Sequence, residues 1–269
     1  MRKRKTLQEL TIMDGFLFGA VMSDPENCRL LLERVLEIPI AKVDVIQEKS
    51  LVYHPEYKGI RLDVFAKDDL GTRFDVEVQI RNTPVTKRSR YYHSQMDMDM
   101  LLSGISYNEL PDSYVIFICG YDPFMQGKYR YRIESHCKEC PEIEYQDGVH
   151  TIILNNCGKN PGEVPKELVN FLEFTKKPLE ESEEKTEDTY ICLLQESIRQ
   201  IKNSREMGER YMTFEEMLQE EREEGRIEGR NSLLIQLVND GVITLEQGAE
   251  SIGITLDELK ELISDSTKL

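Results

Sequence analysis

Two stretches of the chain, Gly59–Lys67 and Thr72–Arg81, alternate strictly between apolar and other residues. In the first, Ile60, Leu62, Val64 and Ala66 form one set and Arg61, Asp63, Phe65 and Lys67 the other. In the second, Phe74, Val76, Val78 and Ile80 alternate with Asp75, Glu77, Gln79 and Arg81. A period of two puts each set on its own face of a strand. Asp68, Asp69, Leu70 and Gly71 lie between the runs, and a glycine closing a short polar loop predicts a hairpin. Pairing the runs about Leu70 sets Leu62 against Val78, Val64 against Val76 and Ala66 against Phe74. A slip of one residue would oppose apolar to polar side chains, so the pattern selects this register.

The remaining pattern supplies the setting. Residues 11–36 have Leu17, Val21, Leu30, Leu31, Leu32, Val35 and Leu36 at helical spacing, with a break at Asp24-Pro25. Residues 43–53 predict a strand, 86–103 a helix, and Tyr114–Cys119 a strand buried on both faces. A strand at Val149–Leu154 and a short helix at Leu168–Phe174 follow. Helix, three strands, helix, strand describes an α/β domain with helices on a mixed sheet. We draw it over residues 1–177. Residues 178–189 lack an apolar face and read as an acidic linker. Residues 190–242 read as a charged helical arm, and 243–269 as a small helix-turn-helix-like segment jointed at Gly253.

The hairpin register places Asp63 directly across from Glu77, where opposed Cβ atoms stand about 4.5–5.5 Å apart. Two carboxylates so close repel unless one is protonated or a cation lies between them. A hard cation such as Mg²⁺ (or Mn²⁺) prefers oxygen donors of this kind. Gln79 shares the face and could orient a water. Acids also decorate the wet faces of ordinary hairpins, but Phe65 on the same side points to a covered face.

The net charge of −16 looks hostile to a nucleic-acid partner. Its distribution answers that objection. Residues 1–100 hold 16 acidic and 16 basic side chains, so the remaining 34 acidic and 18 basic ones, all beyond residue 100, supply the whole imbalance. No apolar run reaches the roughly 18–20 residues that span a bilayer. The basic start MRKRKTLQEL has no apolar signal core behind it. Six scattered cysteines do not form a disulfide framework. We expect a cytoplasmic protein with reduced thiols and no membrane association.

The order and spacing of MDGFLFGAVM (13–22), GIRLDVFAKDDLGTRFDVEVQ (59–79), KRSRYYHSQMDMDMLLSG (87–104) and SYVIFICGYDPF (113–124) resemble the PD-(D/E)XK nuclease superfamily. Within it, the chain is most similar to the Rpn group of recombination-promoting nucleases and transposases, over residues 10–175. The resemblance implies a restriction-endonuclease-like core with a helical C-terminal extension, and metal-dependent DNA cleavage. It puts Asp63 and Glu77 on the metal-binding carboxylates, adds the backbone carbonyl of Val78 as a ligand, and makes Gln79 the third catalytic position. There the superfamily usually has lysine, whose charge an amide cannot replace. Leu62 stands where the motif has proline, which supplies no ligand.

Lys87, Arg88 and Arg90 open the next helix and suit phosphate contacts, although a solvated first turn explains them too. Asp14 is an auxiliary acid candidate or a helix cap. His136, Cys137 and Cys140 make a single HCxxC knuckle, short of the two that structural zinc usually needs. His93 fits a helical surface, and Cys28, Cys119 and Cys192 fit the core. The last helix, TLDELKELI, is acidic, which favours protein interaction over DNA contact. Three functions compete: a metal-dependent DNA endonuclease, a non-catalytic DNA-binding or regulatory protein on the same fold, and an adaptor built on the C-terminal helices. We expect DNA as partner and a homo-oligomer formed through those helices.

Overall fold

The structure is a computed structural model describing residues 5–51, 60–178 and 186–266, without the side chains of 47, 48 and 264–266. The predicted strand ends at Val52, Tyr53 and Gly59, and most of the acidic linker, lie outside the described residues.

Six strands form a mixed sheet in the order β1 (Val43–Leu51), β2 (Ile60–Asp68), β3 (Arg73–Gln79), β4 (Ser113–Cys119), β6 (Val149–Asn155), β5 (Arg130–Ile133). The first three are antiparallel; β3, β4 and β6 run parallel, and β5 returns antiparallel at the edge. Helices α1 (Gly15–Met22) and α2 (Pro25–Leu36) pack on the first strands, with α4 (Lys166–Phe174) and α5 (Thr189–Asn203) against them. Helix α3 (Thr86–Met100) covers Phe65, Val115, Phe117, Cys119 and Ile153 through Tyr92 and Met96.

The hairpin register is the expected one where β2 and β3 are bonded: Val64 faces Val76 and Ala66 faces Phe74. Asp68 Oδ1 accepts the N–H groups of Leu70 and Thr72 at 3.0 and 2.8 Å, and Gly71 takes a left-handed φ of 94° that closes the turn. The ladder stops at Val64–Val76, so Leu62 and Val78 are not a bonded pair. Leu62 and Phe65 both join the apolar cluster beneath α3 although three residues separate them. Strict alternation would put them on opposite faces. The alternation of burial along β2 therefore breaks between Leu62 and Phe65, where its bonding to β3 also ends.

The break at Asp24-Pro25 has a local cause: Asp24 accepts the N–H groups of Glu26 and Asn27, and Pro25 starts α2 where its missing N–H costs nothing. At the other end Arg130 and Arg132 of β5 donate to the carbonyls of Val35 and Leu36. These last-turn carbonyls have no partner within the helix. The stretch beginning at residue 190 opens with a helix packed on the domain. Asp188 caps α5, Arg34 pairs with it at 2.8 Å, and Tyr190, Ile191, Leu194 and Ile198 are buried. These four residues make a helical stripe against the body of the domain.

The chain divides into two compact units, Met1–Arg205 and Glu206–Leu269. In the second, the long α6 (Arg205–Asn239) has Tyr211 as its buried residue. Helices α7 (Leu245–Ile252) and α8 (Leu256–Ser266) follow, joined at Gly253 in the left-handed region, as expected. Gly248 lets α7 approach closely: a Cβ there would stand 2.8 Å from Val238 and 3.2 Å from Leu259. Among the described residues, no helix is long and apolar enough to cross a membrane.

Candidate active site

Where β2 and β3 part, side chains replace the missing backbone bonds. The N–H of Asp63 donates to Glu77 Oε1 at 3.0 Å, and the N–H of Val78 donates to Asp63 Oδ2 at 3.3 Å. Each carboxylate thus reaches across to the opposite strand, and Asp63 and Glu77 come together as the register predicts. Glu77 is only 1% exposed and Asp63 half-buried. Helix α1 begins beside them, where a Cβ on Gly15 would lie 4.0 Å from Asp63 Oδ1. The positive end of a helix favours a nearby carboxylate.

Sequence reasoning left a third acid without a role. Asp75 lies two residues before Glu77, hence on the same strand face, and is fully buried, with the Glu77 carboxyl as its neighbour and no N–H donor at either of its own oxygens. Its position in the alternating run was the available signal. Burial, then the charges of Glu77 and Asp63, push its carboxyl well above the usual range. Burial, then Asp63, pushes Glu77 up to about 8, with Arg88 opposing the rise.

Arg88 is turned inward. Its Nη2 donates to Glu77 Oε2, its Nη1 to Gln79 Oε1 at 2.8 Å, and its Nε to the Tyr92 hydroxyl at 2.7 Å. Gln79 Nε2 donates in turn to the carbonyl of Arg81 at 2.9 Å. Gln79 therefore belongs to the cluster through Arg88. Lys87 and Arg90 point outward, exposed on the first turns of α3. Asp14 stands at the N-cap of α1 without a side-chain cap bond; its carboxylate takes Lys5 Nζ at 2.9 Å and the N–H and hydroxyl of Thr11.

Two expectations elsewhere need correction. His93 is not on a helical surface: it is buried, with Nδ1 2.8 Å from Ser113 Oγ and Nε2 3.0 Å from Thr151 Oγ1. Cys192 is exposed, whereas Cys28 and Cys119 are in the core. In the HCxxC segment, Cys137 and Cys140 are half-buried and the Cys137 thiol faces Glu139.

Burial and the mutual repulsion of three carboxyls favour the protonated forms of Asp75 and Glu77 in the absence of a cation, with one guanidinium facing them. That donor set suits a hard cation. Among the described residues no three His, Cys, Asp or Glu side chains are gathered as a metal cage. A cation here would rest on Asp63 and Glu77 with backbone, water or phosphate oxygens, the way Mg²⁺ is usually held.

No curated protein and no solved structure matches the chain. A family profile does, described as PD-(D/E)XK nuclease family transposase, over residues 12–235. That span takes in the hairpin, α3, the rest of the sheet and most of α6. The chain belongs to the PD-(D/E)XK nuclease family transposases.

Proposed function

We propose that the chain is a metal-dependent DNA endonuclease that hydrolyses phosphodiester bonds, of the transposase-associated, recombination-promoting Rpn type, working in the cytoplasm. The observation that carries this reading is the pair of carboxylates, Asp63 and Glu77, held face to face by each other's strand. Asp63, Glu77 and the carbonyl of Val78 would hold Mg²⁺ or Mn²⁺. Such an ion, when bound, lowers the pKa of an attacking water and offsets charge developing on the phosphate. Burial of Glu77 keeps solvent from its carboxylate, and the N–H of Asp63 fixes its orientation. Exposed Lys87 and Arg90 lie one and four residues along α3 from its start, suited to steering a DNA backbone. Asp14, engaged by Lys5 and Thr11, would serve at most as an auxiliary acid. A plasmid should be cut with Mg²⁺ and left intact with chelator; a plasmid left intact under both conditions would refute the reading.

One observation favours a second reading, a catalytically weak or inactive DNA-binding or regulatory protein. Gln79 occupies the usual lysine position, and Arg88 already engages Glu77. Under this reading DNA is bound with or without divalent cation and never cut.

We further propose that the C-terminal helices join two copies of the chain. Of their apolar residues, Ala249 and Leu259 are buried, whereas Leu256 remains 38% exposed. Val238, Ile243, Leu245 and Ile263 line an open cavity of about 540 Å³. Segments below about 40 residues seldom hold a core unaided. Deleting residues 243–269 should halve the particle mass in light scattering and leave cleavage intact. Equal particle masses would remove the dimer role.

A further inference from the structure

β3 offers an amide where a lysine would place a positive charge. The structure fills that deficit from another element. We infer that Arg88 of α3 supplies the cation of the site, and that Gln79 is the acceptor that holds it there.

The geometry is specific to a guanidinium. Three nitrogens of one planar fork meet Glu77, Gln79 and Tyr92 at once. A lysine ammonium, a single point of charge, cannot span three such partners. The same plane lies over two rings, 5.0 Å from the centre of Tyr92 and 5.4 Å from that of Phe117. Aromatic faces attract a cation and restrict its rotation. Arg88 is also third in its helix, where the helix dipole disfavours positive charge. Glu77 offsets that cost, so the residue makes sense as part of the carboxylate cluster rather than as a surface contact. Its side chain remains 33% exposed, so the guanidinium borders the solvent from which a phosphate would arrive. Gln79 completes the arrangement: its amide oxygen accepts from Arg88, while its amide nitrogen is tied to the carbonyl of Arg81. A lysine at this position would repel the guanidinium.

The inference rests on the nuclease reading, and its test separates the two. Arg88→Met should lower kcat for Mg²⁺-dependent cleavage by about 100-fold, with KM changed by less than about threefold. Ca²⁺ affinity, measured by calorimetry without DNA, should rise, because Glu77 no longer has a guanidinium competing for it. A merely structural role would lower Ca²⁺ affinity together with melting temperature. Gln79→Lys alone should impair cleavage, whereas Gln79→Lys combined with Arg88→Met should recover at least tenfold over Arg88→Met, the charge having moved from α3 to β3. Cleavage by Arg88→Met at the parental rate, a double variant no better than Arg88→Met, or Ca²⁺ affinity that falls with stability would each overturn the assignment. If the parent binds Ca²⁺ but never cuts, the nuclease reading fails and calorimetry alone decides Arg88: tighter Ca²⁺ in the variant supports it, unchanged affinity overturns it. A parent that neither cuts nor binds Ca²⁺ overturns both.

Discussion

Asp63→Ala should reduce Mg²⁺-dependent DNA cleavage by well over 100-fold while the protein stays folded. Loss of a residue that merely supports a metal ligand typically costs 10–100-fold, and Asp63 is proposed as a ligand itself. Stability should hardly move, because two effects oppose each other. The substitution removes the acceptor for the Val78 N–H, a long bond at 3.3 Å, worth about 1 kcal/mol by the usual measure. It also removes one of three acids in a buried cluster, and Asp63 is one of the charges that raise both Asp75 and Glu77. Relief of that repulsion works in the opposite direction. Melting curves should therefore agree within a few degrees without divalent cation. With Ca²⁺, a non-cleaving stand-in, the parent should gain stability and the variant should not. If purified Asp63→Ala cuts a plasmid at the parental rate, Asp63 is not a ligand and the site lies elsewhere.

Most of the scaffold that holds this cluster was legible in the sequence, because alternation is a long signal. The four bonded pairs from Val64–Val76 to Lys67–Arg73 keep one register, and the turn at Gly71 confirms it locally. The opposition of Asp63 and Glu77 follows from that register alone. The break in burial alternation between Leu62 and Phe65 does not, since binary patterning records which residues are apolar and not what comes to cover them. Strand β5 escaped notice for a related reason. Arg130 and Arg132 occupy half of its four positions, and they are there to hold the end of α2, a tertiary task invisible in a local window. The same holds for Arg88. Charge near the start of a helix reads as solvated surface or phosphate contact; only the path of α3 across β3 and β4 turns it toward Glu77. Asp75 was visible as a member of the polar set, but an acid buried against another acid looks in sequence like any other acid on a strand. The stripe of Tyr190, Ile191, Leu194 and Ile198 was readable as a packing face. The charged residues around it hid that face inside a longer acidic stretch.

His93 supplies the second large effect, in stability rather than catalysis. Its ring joins α3 to β4 and β6 by lying between the hydroxyls of Ser113 and Thr151. Burial first, and then the nearby charge of His150, lowers its pKa from 6.5 to about 4, while Asp147 pulls weakly the other way. The neutral ring needs one hydroxyl to donate to it and the other to accept from it, and a hydroxyl can do either. Because the folded pKa lies below the unfolded one, the unfolded chain takes up the proton first as pH falls. The stabilisation is complete above about pH 6.5, declines between 6.5 and 4, and is lost as the pH passes below the folded pKa. At about 1.4 kcal/mol for each unit, a shift of this size amounts to roughly 3 kcal/mol across that window. Denaturant melts at pH 7, 6, 5 and 4.5 on the parent and on His93→Gln should show this decline as a stability difference that shrinks as the pH falls. His93→Gln keeps a donor and an acceptor between the two hydroxyls but has nothing to titrate, so its stability should lie below the parent's at pH 7 and approach it by pH 4.5. Asp75 and Glu77, held above their usual range, strengthen the fold as the pH falls through the same window, but they do so in both proteins, so the difference between the two isolates His93. Parallel pH profiles for the parent and His93→Gln would show that His93 takes up its proton in the folded state as readily as in the unfolded one, and that the buried neutral ring is not what couples α3 to the sheet.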